Sequence, residues 1–264
     1  MEPLFGPLLA AKIAAAVVIV VSASRATERL GPFLGAMIAT LPVSTGPVYV
    51  FLAMDHDAAF ISDAARMSVA GVRATVAFVS AHAFASRCQA TPLSWAAGTA
   101  AWFATALLLQ LRDWSFGEAC ALFAGSFALA IRGLRRYGAQ PPAAAQPRAR
   151  YDLALRAGLV ACVVVATSVA GRIAGPAFTG VLATYPVVFT SLVLILQPRC
   201  GGPFTAAMLV NALKGLIGFG LALAVLHLAA ARWGSAAGLS IALGVAVGWN
   251  VMLVLLRRRR VARA

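Results

Sequence analysis

Charge is what this chain has least of. Charged residues make up 11 % of its 264 positions, and only eight residues are acidic. A water-soluble domain carries about 25 % charged residues, so together with 61 % hydrophobic residues the shortage excludes a soluble globule. Also missing are a phosphate loop, a Gly-x-Ser-x-Gly elbow, a His-Glu-x-x-His pair and a dinucleotide fingerprint. No soluble catalytic domain is expected, and the chain is not read as an enzyme. Cys88, Cys120, Cys162 and Cys200 form no Cys-x-x-Cys pair and have no histidine at zinc spacing. Neither a metal site, a cofactor nor a disulfide framework is expected.

What is abundant is apolar sequence in runs of about 20 residues, the length a helix needs to cross the hydrocarbon core. Nine such segments can be read: 8–24, 33–53, 60–85, 93–111, 115–131, 153–170, 176–196, 204–230 and 236–256. The expected fold class is an all-α polytopic membrane protein. The first segment could pass for a signal peptide, but Glu2 and two prolines precede it instead of a basic cluster, so it is read as a retained span. The Pro/Ala/Gln stretch within 132–152 cannot pack a core and reads as a solvated linker.

The net charge of +14 would suggest nucleic acid in a soluble protein. Here the arginines lie in connections and tails, where they set orientation. If the linker is cytoplasmic, Arg87, Arg132, Arg135, Arg136, Arg199 and Arg257–Arg260 fall on its side, while Lys12, Arg66, Arg112, Arg172 and Arg232 fall opposite. That bias places the N-terminus outside and the C-terminus inside a cell (inner) membrane. Membrane lipid is the expected partner, which Arg257–Arg260 would attract; nucleic acid is not.

The segment from Gly31 to Phe51, GPFLGAMIATLPVSTGPVYVF, returns 144 residues later as GPAFTGVLATYPVVFTSLVLI, Gly175 to Ile195. Both share Gly-Pro and Ala-Thr-x-Pro-Val, with hydroxyls after the proline. Further along, Lys12 aligns with Arg156, Phe60 with Phe204 and Gly71 with Gly215. With small drifts, His82 through Arg87 matches His227 through Arg232, and Trp102 matches Trp249. Matched positions five spans apart cross in opposite directions. The expectation is an inverted-topology repeat: 1–111 as the first four spans, 112–152 as a connecting fifth span and linker, and 153–264 as the second four spans with a basic tail. Such repeats are typical of secondary transporters, with sites near the midplane.

Proline costs a helix one hydrogen bond and frees the carbonyl four residues back, here those of Ile38 and Leu182. Around Pro42 lie Thr40, Ser44 and Thr45, and around Pro186 lie Thr184, Tyr185, Thr190 and Ser191. These hydroxyls either close the freed carbonyls or ligate a solute. Arg73 and Lys214 fall deep inside spans without a midplane carboxylate, and a central cation is costly. Asp63 is three residues from Arg66, close enough to pair with it. The partners of Arg73 and Lys214 are then carbonyls, an interface reached by snorkelling, or a bound anion. His82 and His227, repeat-related and near helix ends, are candidates for proton coupling. His56, between Asp55 and Asp57, reads as a solvated turn.

Tyr185-Pro186-Val187-Val188-Phe189-Thr190-Ser191 resembles the second span of the small GlpM-like membrane proteins, which are four-span units. That resemblance covers 153–256 and implies a membrane protein of unsettled activity, so it brings no catalytic residues with it. The inverted repeat is also similar to that of drug/metabolite-type transporters, from whose ten-span plan this chain departs by one. The expected function is a secondary-transporter-like permease for a small, anionic solute. A non-transporting accessory or assembly protein is the alternative, and an intramembrane enzyme acting on a lipid phosphate is a third.

Overall fold

The computed structural model describes residues 10–19, 22, 45–88, 90–138 and 151–261. These are helical almost throughout, with no strand among the described residues. Eight helices follow one another: α1 Thr45–Asp55, α2 Ala58–Ala85, α3 Thr91–Gln110, α4 Phe116–Gly133, α5 Tyr151–Ile173, α6 Gly175–Leu182, α7 Val187–Cys200 and α8 Gly202–Val261. A shorter apolar helix, Ala10–Ile19, precedes them. Six helical stretches are long and apolar enough to cross a membrane: α2, α3, α4, α5, Gly175–Cys200 and Gly202–Leu256.

The nine expected spans do not become nine helices. Segment 176–196 is two helices, because Pro186 cannot continue the first. Segments 204–230 and 236–256 are the two helical arms of α8, separated by the non-helical residue Gly234 with no loop between them. There φ is +83°, a backbone state that only glycine adopts freely. Its arms, 202–233 and 235–261, fold back on each other, with Trp249 Nε1 donating to Lys214 O at 2.9 Å. Thr40, Pro42, Ser44 and the 139–150 part of the linker lie outside the described residues.

The centre of the bundle is α2. Its apolar window is 72 % buried, against 28 % for α3 and 17 % for α4. Asp57 caps its start, accepting from Phe60 N at 2.9 Å. It packs against α8, α3, α6 and α4. Small residues let two of these neighbours approach backbone to backbone. A Cβ on Gly180 of α6 would overlap Ala64 O of α2, and one on Gly202 would overlap Ser86 O. The first arm of α8 runs antiparallel to α2: Ser62 at one end of α2 bonds His227, and Ser86 just past the other end meets Gly202.

Ion pairs close the ends of the bundle. Lys12, 4 % exposed, bonds Asp55 at the end of α1 (2.5 Å) and reaches Phe51 O (3.3 Å). Asp152 at the start of α5 bonds Arg199 near the end of α7 (2.8 Å). The expected Asp63–Arg66 pair forms at 3.4 Å. Ser115 and Glu118 make a capping box at the start of α4.

Candidate functional site

The most polar part of the interior is the interruption between α6 and α7. The helix break expected at Pro186 is a full one: Ala183 to Pro186 leave the helix altogether. Pro186, with φ −81° and ψ 66°, forms a tight three-residue turn in which Val187 N donates to Tyr185 O at 2.8 Å. A full break exposes more carbonyls than a kink does. In a low-dielectric interior each of them needs a partner.

Every carbonyl from Gly180 to Pro186 has one. Leu182 O, the carbonyl expected to be freed, is closed locally by Tyr185 N at 3.0 Å. Val181 O accepts from Thr184 N and Thr184 Oγ1, and Pro186 O accepts from Thr190 N. The remaining three are closed from other helices. Ser68 Oγ donates to Gly180 O. Since its single proton is then committed, Tyr49 OH donates to Ser68 Oγ at 2.6 Å. Thr45 Oγ1 donates to Ala183 O at 3.3 Å, and Thr75 Oγ1 to Thr184 O at 2.8 Å. Thr45, Tyr49, Ser68, Thr75, Thr184, Thr190 and Ser191 are all buried.

Of the hydroxyls named from the sequence, the described ones, Thr45, Thr184, Tyr185, Thr190 and Ser191, are at the break, most of them working on backbone carbonyls. Thr184 bonds Val181 O and Ser191 bonds Val188 O; Thr190 donates to Tyr185 OH at 3.4 Å. Thr45, two residues past the first Ala-Thr-x-Pro-Val, bonds Ala183 of the second. Missed from the sequence were Ser68, Thr75 and Tyr49. Their signal was available in the spacing: Ser68, Gly71 and Thr75 stand at i, i+3 and i+7, one face of α2.

Donors at the break are less complete than acceptors. The α7 N-terminus has no side-chain cap, and among the described residues no partner meets the N–H groups of Val188 and Phe189. Such orphan N–H groups, with the positive end of the helix dipole, favour negative charge.

Arg73 is not part of this cluster. It stands two residues from both Gly71 and Thr75, about 200° round α2 from each. Arg73 and Lys214 are exposed, and neither side chain bonds a described residue. The carbonyl partners considered for them are not found among the described residues. The two histidines are also apart. His227 exchanges bonds with Ser62, its Nδ1 and Ser62 O 2.9 Å apart and Ser62 Oγ donating to His227 O at 2.9 Å. His82, fully buried, lies toward the other end of α2, about 30 Å along the helix from Ser62. His56 is stacked on Phe60 at 3.9 Å with its Nε2 buried, packed where the sequence suggested a solvated turn.

No family model, curated protein or solved structure matches the chain. The resemblance to GlpM-like proteins rests on the motif from Tyr185 to Ser191 alone.

Proposed function

We propose that the chain is a secondary-transporter-like permease of the inner membrane, with a small, anionic solute handled at the broken helix between two inverted repeats. The observation that carries this reading is the buried interruption Ala183–Pro186, bonded across to the first repeat through Thr45. In transporters built this way, discontinuous helices at mid-depth supply the site, and half-helix N-termini point at anionic groups.

The sign of the solute follows from the break's own groups. Its carbonyls from Gly180 to Pro186 each already accept a hydrogen bond, which weakens their pull on a cation. The N–H groups of Val188 and Phe189 remain for an acceptor. Arg73 and Lys214 add positive charge elsewhere on the path.

The inverted repeat, with nine spans, N-terminus outside and C-terminus cytoplasmic, draws support from two ion pairs. Each ties the first helix of a repeat to the second, Lys12 to Asp55 and Asp152 to Arg199. A shift of 144 residues carries position 55 onto 199, whereas Lys12 aligns with Arg156 and not with Asp152, so one end of each pair is repeat-related. The antiparallel crossing of α2 and the first arm of α8 is of the same kind.

The accessory reading has one observation in its favour: a break whose carbonyls are all satisfied internally can serve as architecture alone. Flux of anionic solutes into liposomes holding the purified chain separates the two. Uptake that falls in Arg73→Ala and Lys214→Ala supports the permease. If no solute moves, the accessory reading replaces it; if both variants transport normally, the role given to those cations is wrong.

A further inference from the structure

We infer that a polar seam between α2, α3 and α7 forms a half-pathway from one end of these helices to the break, occupied by water and by solutes bearing oxygen acceptors. The solute class rests on the permease reading; the seam itself does not. His82 on α2, Trp95, Thr99 and Trp102 on α3, and Gln197 on α7 each carry buried polar atoms without a hydrogen-bond partner among the described residues. Buried polar groups without partners are rare and costly. Here they follow one interface, in a chain that closes every carbonyl of its broken helix.

Their placement is continuous. His82 is fully buried beside the backbone of Ser94, and neither ring nitrogen reaches a well-aligned hydrogen bond among the described residues. Phe78, one turn earlier on α2, stacks 6.5 Å from His82 and packs on Gly98 of α3. Ser94 Oγ donates to Gln197 Oε1 at 2.9 Å, which joins α3 to α7 and leaves the Gln197 amide nitrogen unused. Trp95, Thr99 and Trp102 stand at i, i+4 and i+7, on one side of α3. From Ser94 to Trp102 the helix rises about 12 Å. Trp102 is 1 % exposed and meets Tyr185 edge to face at 5.1 Å. Tyr185 OH, in turn, accepts from Thr190 at the start of α7. The seam thus begins at His82 and Gln197 and ends where the N–H groups of Val188 and Phe189 meet no partner among the described residues.

Its chemistry is that of a donor-lined path. An indole N–H and a carboxamide nitrogen only donate, and neutral imidazole offers one donor and one acceptor. No lysine or arginine is among these residues. Water fits such a lining, and so does a small oxyanion moving with some of its hydration.

Thiol accessibility tests the seam. In the full chain in liposomes, with Cys88, Cys120, Cys162 and Cys200 replaced by alanine, Ser94→Cys and Thr99→Cys are exposed to a small hydrophilic methanethiosulfonate. Leu107→Cys, on the exposed side of α3, is the control. A wetted seam makes Thr99→Cys react about tenfold faster or more, because the reacting species is the thiolate and apolar surroundings suppress it. Rates for both seam variants at or below that of Leu107→Cys overturn the proposal. Should the cysteine variants fold poorly, radiolytic footprinting of the unmodified chain asks the same question: Trp102 and His82 become oxidised if water reaches them, and stay as protected as Phe78 if the seam is dry. Added acetate or inorganic phosphate slows Thr99→Cys labelling if oxyanions enter; labelling unchanged by either refutes that occupant. Labelling without flux sinks the permease and keeps the seam, whereas flux without labelling does the reverse.

Discussion

Thr75→Val removes one oxygen from the centre of the bundle and changes almost nothing else. Thr75 is 4 % exposed and its Oγ1 is the partner of Thr184 O, at 2.8 Å. Valine has nearly the same shape, so no cavity opens, but Thr184 O is left buried without a donor. An orphaned buried acceptor costs about 1–3 kcal/mol, while interhelical hydrogen bonds in membranes average about 0.6 and reach about 1.7 kcal/mol. Because Thr184 lies in a break with no helical N–H to replace the lost donor, a value in the upper part of that range is expected, about 1–1.5 kcal/mol. Thr105→Val is the matched control. Its hydroxyl bonds Ala101 O, four residues back on α3, where the helix's own N–H already serves that carbonyl, so a loss under about 0.5 kcal/mol is expected. Reversible unfolding in mixed micelles or bicelles measures both. Equal losses for the two variants, or none for Thr75→Val, would refute the claim that cross-helix hydroxyls hold the break.

Other perturbations test the packing around it. Gly180→Ala places a methyl against Ala64 O and should cost about 1–3 kcal/mol, whereas Gly125→Ala on α4, with open space at its Cβ, should gain up to about 1 kcal/mol from helix propensity. Thermal melts of the two variants should therefore move in opposite directions. Lys12→Asp breaks a buried ion pair and should destabilise by about 3–5 kcal/mol; adding Asp55→Lys, which gives the pair the charge order of Asp152–Arg199, should restore at least half in the same melts. Burial holds the His56 imidazole below its ordinary 6.5, against the opposing pull of Asp55. The folded chain then binds fewer protons than the unfolded one, so this contribution is whole above pH about 6.5 and is lost as pH falls through the lowered value. Between pH 7.5 and 5 the parent should lose more thermal stability than His56→Gln; parallel pH profiles would refute it.

Much of the molecule was legible because hydropathy and proline act locally. The span boundaries near 60–85 and 93–111 foreshadow α2 and α3, and Asp63–Arg66 pairs as their spacing on one helix demands. Pro186 marks the interruption because it lacks an N–H, but whether a chain kinks or stops there depends on what receives the freed carbonyls. That was settled by Ser68 and Thr75, residues of another helix. The tightness of the turn between 204–230 and 236–256 rests on the backbone state of a single glycine, which composition does not announce.

By itself the sequence determined the material of this protein: long apolar helices, a proline-marked break and hydroxyls close to it, each set by a few neighbouring residues. Only the tertiary structure decided how those helices are rotated about their own axes. Rotation puts Ser68 and Thr75 on the break and Arg73 on the far side of the same helix. It also lines Trp95, Thr99 and Trp102 along one interface with His82 and Gln197. A residue's spacing names the face it shares, but which partner that face meets depends on packing across more than a hundred residues of chain, and it is there that the polar interior was made.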